Sequence, residues 1–574
     1  MKRVLSVFIV LLLTVGIVGG MKYAHRGNLA PAGARELAQP TSPIAAENAR
    51  RGDRRWRLGS ASKRGLDAFA SATSVRAGDP LDVYVRTKST SFRADVYRMG
   101  WYAGAGARLV TRRTDIAGDG QSPCDAVGKR HTVTCAWRPS FTLGTRGSWP
   151  SGVYLIKLTT PDKRGAYVPF VIRETVTRAP IIFQSSVTTW QAYNSFGGRS
   201  LYDGPCTQRI VRVKPKELPS ASPAPPAAAT ETAVPEPNPS EEPSPEETSS
   251  PPSPLFPRIS SQPEPSAQPS VAPQSTIAGV PEPAFETEST CGFPNRSRAV
   301  SFDRPYDWPG AGQFFRFEYP LLAWMESKGY DVAYATDVDL HEGLEDLKQR
   351  RVFLSVGHDE YYSTAMRDEL ESALAAGTSL AFFGANDIYR HIRFEDSPLG
   401  ADRIEVNYKY AGEDPLFSAN RSETTGQWRD RPINRPEQTL LGAQYSCNPA
   451  QGDWVPTGEP AWLFRNTGFA PGDSIDGLVG YEFDRLFIHQ PHPDNVILVA
   501  KSPVRCGGKN GESNTTLYVA PSGAAVFDAG TLYFTCGVGP TRCTRRSGSR
   551  ITADPRLQQL AANLIDAMLT RRFE

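Results

Sequence analysis

RVFLSVGHDEYYS, residues 351–363, is the stretch on which the reading of this chain turns. Val352 to Gly357 is a short apolar run rich in β-branched and aromatic side chains, the pattern of a buried strand. Gly357 ends it, where the backbone is free to take angles closed to other residues. His358, Asp359 and Glu360 follow at once, then Tyr361 and Tyr362, and Ser363 stands as N-cap to the periodic segment 364–376. Strand, polar crest and helix in that order make one unit of a parallel α/β sheet. Ligands of such sheets bind outside the carboxyl ends of the strands, which is where His358 and Glu360 would sit. The plain alternative is a capped loop whose acids face solvent. A His, an Asp and a Glu packed at a strand's carboxyl end weigh against it.

The flanking sequence repeats the unit. Residues 312–328 read as an amphipathic helix carrying Phe315, Tyr319, Leu322 and Met325, and 331–335 as a strand. A short helix is expected at 342–349, a buried strand at 380–384 ending in Ala385-Asn386-Asp387, and a terminal helix at 556–570. The alternation predicts an α/β domain over 176–574, with a parallel, three-layer sheet and right-handed crossovers, a layout that resembles that of the class I glutamine amidotransferases (amidotransferase-like). Short alternating strands at 81–85, 92–96, 152–158 and 167–172, separated by turn signals, predict an Ig-like β-sandwich over 59–175. Residues 214–288 hold 20 of the 49 prolines, with 11 acidic and 3 basic side chains. That stretch cannot bury enough apolar surface to offset its ordering entropy, so it reads as a disordered surface insertion within the second domain.

A net charge of +3, from 64 basic and 61 acidic side chains in 574 residues, gives no reason to expect nucleic acid as a partner. Lys2 and Arg3 precede an apolar run from Val4 to about Gly20 with no small-x-small cleavage site directly after it. Residues 1–26 are therefore expected to be a signal anchor that leaves the bulk of the chain outside the cell membrane on a tether, 27–58. A cleaved signal peptide and a secreted protein is the alternative. Eight cysteines fit disulfides, with Cys124–Cys135 and Cys536–Cys543 as local pairs and Cys206–Cys291 at the base of the insert.

Several motifs in order resemble the large (beta) subunit of N,N-dimethylformamidase and its relatives. They are Trp190-Gln-Ala-Tyr-Asn194 with Gly197-Gly-Arg-Ser-Leu-Tyr202, Ser301-Phe-Asp-Arg-Pro-Tyr306, Gly357-His-Asp-Glu-Tyr361 and Phe383-Gly-Ala-Asn386. The resemblance implies an iron-dependent hydrolase of a non-peptide C–N bond, with Fe3+ held by two tyrosines and one glutamate and a histidine two residues before that glutamate. Carried over, Glu360 is the carboxylate ligand and His358 the neighbouring base. Tyr193 and Tyr306 are the chosen phenolates, with Tyr202 and Tyr361 competing for those places. Asn194 or Asn386 would orient the carbonyl oxygen of a small-molecule amide. Phenolate and carboxylate are hard donors suited to ferric iron. The crest carries no Cys or Ser nucleophile, which argues against covalent catalysis. The competing reading is a non-catalytic surface binding or scaffold protein that keeps the family fold. Either reading is compatible with a homo-oligomer.

Overall fold

In the computed structural model, which describes residues 42–176, 179–212, 285–290, 292–344, 346–540, 543–544 and 550–574, the run after Arg351 lies inside a nine-stranded sheet. Its strands in chain order are β1 (Ile181–Ser185), β2 (Val332–Thr336), β3 (Val352–Gly357), β4 (Ser379–Gly384), β5 (Gln444–Trp454), β6 (Ile475–Arg485), β7 (Ile497–Cys506), β8 (Lys509–Val519) and β9 (Ala525–Asp528). Across the sheet they run β2-β1-β3-β4-β9-β8-β7-β5-β6. From β2 to β9 neighbours are parallel. From β9 to β6 every pairing is antiparallel.

The predicted α/β domain with a parallel, amidotransferase-like sheet is therefore corrected: strand outweighs helix in this chain, and its sheets are mixed or antiparallel. The reason lies in the connections. Four helices matter here: α1 (Val187–Ala192), α2 (Tyr319–Ser327), α3 (Thr364–Ala376) and α4 (Pro555–Thr570). Helix α3 supplies the long return that a parallel pair needs, between β3 and β4. Among the described residues beyond Arg393 no helix of that length intervenes before α4. The chain instead reverses in hairpins. Gly507 and Gly508, with φ of +56° and +81°, make the two-residue turn between β7 and β8.

Alternation along β1, β3 and β4 divides their side chains between two cores. Phe183, Leu354 and Phe383 face one side with Leu322 of α2 and Leu560 of α4, whereas Ile182, Phe353 and Phe382 face the other with Met366 and Leu370 of α3. Each such side chain contributes about 1.5–3 kcal/mol on burial. Residues 66–173 hold a small hairpin of Asp125–Val127 with Thr132–Thr134, and a three-stranded and a five-stranded sheet that face across Val83, Val85, Val96, Ile156 and Phe170. The next residues along those strands, Tyr97 and Leu155, point the opposite way and enter the core of the nine-stranded sheet.

Part of the expected tether also packs on the protein. Trp56 is buried and stacks on Phe315 at 5.4 Å, because an indole and an apolar ring lose more by facing water than the chain loses by being held. The strand Thr207–Arg212 pairs antiparallel with Phe285–Thr290, bringing the ends of the Pro-rich insertion together. Residues 285–288, expected to be disordered, belong to that second strand, and the rest of the insertion, 214–284, lies outside the described residues. So does the expected anchor at 1–26. Among the described residues no helix is long and apolar enough to cross a membrane, and the single-pass, cell-membrane placement is withdrawn. The disulfides Cys124–Cys135 and Cys536–Cys543 are present, with a third, Cys447–Cys506, between β5 and β7. Cys291, the expected partner of Cys206, lies outside the described residues.

Candidate metal and catalytic site

The crest after β3 is built on a backbone turn. Gly357 has φ of +88°, and a Cβ there would stand 2.5 Å from Cβ of Phe317, so only glycine fits. Beyond it the side chains diverge. Asp359 turns inward and accepts hydrogen bonds from Gln184 (2.7 Å), Ser355 (2.6 Å) and Tyr362 (2.6 Å). His358 and Glu360 turn the other way. The Glu360 backbone amide donates to Thr189 Oγ1 at 2.9 Å, and its carbonyl accepts from the Arg390 amide at 2.8 Å, which fixes the crest against α1 and the chain after β4.

Three phenols gather at Glu360. Tyr193 caps the C-terminus of α1, and Tyr202 lies on the loop that follows, its ring stacked on that of Tyr193 at 4.4 Å. The Tyr193 hydroxyl is 2.8 Å from Glu360 Oε2, the Tyr202 hydroxyl is 2.9 Å from the same oxygen and 2.6 Å from Oε1, and the two hydroxyls are 3.1 Å apart. Tyr361 joins behind them, its hydroxyl 2.7 Å from that of Tyr202. Lys409 Nζ donates to Tyr361 and sits 3.4 Å over the Tyr202 ring, and Arg390 Nε is 3.3 Å from Glu360 Oε1. Glu360 is 1% exposed, whereas Tyr193 and Tyr202 are half-buried.

This donor set fits a hard cation. The three oxygens of Tyr193, Tyr202 and Glu360 form a triangle with sides of 2.8, 2.9 and 3.1 Å. Adjacent ligands of an octahedron with metal–oxygen bonds of roughly 2.0–2.1 Å are about 2.9 Å apart. The charges agree. Burial, then the Glu360 carboxylate, push the Tyr193 and Tyr202 phenols well above their ordinary range, so both donate as neutral hydroxyls unless a cation offsets the charge. Burial would raise Glu360 as well, but Lys409, His358, Arg390 and the Tyr202 hydroxyl outweigh it and hold the carboxylate below its usual range. Burial and the neighbouring Arg390 pull the Lys409 ammonium well down.

His358 forms the other half of the site. Its Nε2 is 3.3 Å from Glu482 Oε2, 3.6 Å from Glu360 Oε2 and 3.5 Å from Asn386 Nδ2. Burial alone would lower its pKa, but Glu482 and Glu360 overcome that and raise it. Asn386 donates to Glu482 Oε2 at 2.7 Å, and Asn448 holds Oε1 at 3.0 Å. Glu482, Lys409 and Arg390 escaped the sequence reading. For Glu482 the signal available was a pair of acids, Glu482 and Asp484, on one face of an apolar strand. For Lys409 and Arg390 there was none beyond their charge.

Two expected site residues lie elsewhere. Tyr306 packs edge-on against Trp190 at 6.0 Å and lines a small cavity with Phe302, Arg304 and Arg403, so its place at Glu360 is taken by Tyr202. Asn194 is committed at both ends of its amide. Its Nδ2 donates to Gln191 (2.6 Å) and the Pro305 carbonyl (2.9 Å), and its Oδ1 accepts from the amides of Phe196 (3.1 Å) and Asp307 (3.0 Å). It shapes the loop between Tyr193 and Tyr202, whereas Asn386 stands beside His358 and Glu482.

Comparison with known proteins bears on this arrangement. The profile of the family described as N,N-dimethylformamidase beta subunit-like, C-terminal, matches residues 93–232 and 283–545. The N,N-dimethylformamidase beta subunit of Paracoccus aminophilus is 26% identical over 227 residues, 35% of this chain and 28% of that protein. Its counterpart from Alcaligenes sp is 28% identical over 223 residues, again 35% of this chain and 28% of that protein. The matched stretch thus spans little more than a quarter of each curated relative. Among solved structures, a cycloisomaltooligosaccharide glucanotransferase from Paenibacillus sp. aligns at 11% identity over 22% of this chain and 16% of its own, with a TM-score of 0.13, too little to carry an argument.

Proposed function

The chain belongs to the N,N-dimethylformamidase beta subunit-like family, and from that premise we propose that it hydrolyses a C–N bond of the amide or formamide type in a small molecule, with iron as its metal. The observation that carries this reading is the triangle of Tyr193, Tyr202 and Glu360 oxygens beside a histidine–carboxylate–amide set. Tyr193, Tyr202 and Glu360 would hold the ion, with Tyr361 bonding the Tyr202 hydroxyl from behind and Lys409 lying over the Tyr202 ring. Ferric iron, when bound, supplies Lewis acidity toward a carbonyl oxygen and toward water.

The remaining work falls to the chain. Asn386 Nδ2, held at 2.7 Å by Glu482, is set to donate to an amide oxygen. His358, flanked by Glu482 and Glu360, carries a proton at Nε2 that it can deliver to the departing nitrogen. Water adds to the acyl carbon, the C–N bond breaks, the amine leaves with the His358 proton, and the proton given up by the water restores His358, leaving acid and amine as products.

Purified protein is expected to contain about one equivalent of iron and to release amine from small formamides. A folded wild-type protein that binds no iron when it is supplied and releases no amine would overturn the reading and favour a binding module. The assignment of the phenols has its own test. Tyr202→Phe should cut iron affinity on the order of 10–100-fold or more, since even outer-shell partners of a metal are worth that much. Tyr306→Phe should leave the iron content of the folded protein unchanged. The reverse pattern would exchange the two roles.

A further inference from the structure

A second group of acids lies behind the catalytic wall. Asp387 follows Asn386 in the chain after β4, Asp484 is two residues beyond Glu482 on β6, and Asp528 ends β9. Each offers an oxygen within 4.8 Å of the other two, and all three side chains are buried. Asp484 Oδ1 accepts from the Asn386 amide (2.8 Å) and Asp528 Oδ1 from the Gly530 amide (2.8 Å). The second oxygen of each has no hydrogen-bond partner.

Asp387 supplies a separate observation. It is 1% exposed, and neither of its oxygens receives a hydrogen bond of normal geometry, although it converges on the other two. The neighbouring Asp359 amide offsets little of its burial. Among the described residues no side-chain cation closes the balance either, since Arg429, whose field reaches Asp484, is engaged with Glu437 at 2.5 Å. Four orphaned carboxylate oxygens in the interior would cost far more than a folded chain can carry, so the group holds either protons or a cation. Two oxygens bound to one ion at roughly 2.0–2.6 Å stand at most about 4.0–5.2 Å apart, and the observed spread falls inside that limit.

We infer that Asp387, Asp484 and Asp528 bind a hard divalent cation of the magnesium, manganese or calcium class, separate from any ion at Glu360. Carboxylate oxygens alone select that class over softer ions. The ion would tie the end of β9 to β6 and to the turn that carries Asn386, through the hydrogen bond between the Asn386 amide and Asp484. It is a structural clamp for the wall that positions Asn386 and Glu482, and it does not depend on the iron reading.

The test uses the full chain. Metal analysis of wild type should find one divalent cation beyond the ion that depends on Glu360. Dialysis against EDTA should lower the thermal unfolding midpoint, and magnesium, manganese and calcium, added singly, should show which ion restores it. Asp528→Asn should lose this cation at least tenfold in affinity and keep its iron, whereas Glu360→Gln should lose iron and keep this cation. If EDTA leaves the wild-type midpoint unmoved and no added cation raises it, the three acids share protons and the inference is overturned. Because that arm uses wild type alone, it stands even if the variants do not fold. A cation bound equally by wild type and folded Asp528→Asn would overturn it as well.

Discussion

Glu360→Gln should yield a folded protein without tightly held iron, its rate of amide cleavage lowered roughly a thousandfold or more. The size follows from charge. A Lewis acid contributes several kcal/mol at the transition state, and about 4 kcal/mol is a factor near a thousand. Glu360 is also the anion on which the local balance rests. Its carboxylate faces Lys409, Arg390 and His358, and the hydroxyls of Tyr193 and Tyr202 both point to it. A glutamine keeps the shape and the contact to one hydroxyl but removes the charge. Lys409 and His358 then lose a field that raises their pKa, so both should titrate lower in the variant. Iron content by elemental analysis, amine release and the His358 ring resonances against pH read the three consequences separately. A variant that keeps its iron and its rate would show that the phenols meet at Glu360 only as a hydrogen-bonded cluster.

What could be read in advance was what local chemistry decides. β3 runs from Val352 to Gly357 and α3 from Thr364 to Ala376, the bounds the residues imply, because Ser363 caps the helix and Gly377 closes it at φ of +101°. The antiparallel half escaped for a local reason of the opposite kind. Short alternating runs after Arg393 look alike whether a hairpin or a helix joins them, and the Gly507-Gly508 turn was the clue that mattered. The site was legible where its residues share one crest, as His358 and Glu360 do. It was not legible where the fold alone brings residues together. Tyr202 and Tyr306 both sit in family-like motifs, and nothing in their spacing says that one faces Glu360 and the other Trp190. Glu482 and Lys409 come from strands and loops that meet the crest only after the sheet has formed.

Glu326→Ala should destabilise the protein by about 3–5 kcal/mol, the cost of leaving one charge of a buried pair alone. Glu326 lies on α2 and meets Arg98 of the N-terminal sheets, Nη2 to Oε1 at 2.7 Å and Nη1 to Oε2 at 3.1 Å, with both side chains fully buried. Burial works against the Arg98 charge, and Glu326 more than restores it. Tyr334 and Asn48 each donate to the carboxylate at 2.7 Å, which makes Glu326 the joint of the sandwich, the central sheet and the segment before residue 58. The packing admits no slack: a Cβ on Gly100 would stand 2.3 Å from Glu326 Oε2. Alanine would therefore take the carboxylate from the buried Arg98 charge and the Tyr334 hydroxyl, leaving Arg98 only neutral acceptors such as the Ser151 and Met99 carbonyls. Since a typical domain has about 5–15 kcal/mol in all, a loss of this size should shift the denaturant midpoint well outside error. The pair Arg98→Met with Glu326→Leu should recover most of that loss, because desolvating two charges costs nearly what their attraction returns. If Glu326→Ala unfolds within about 1 kcal/mol of wild type, water reaches this joint and the sandwich does not depend on the ion pair to dock.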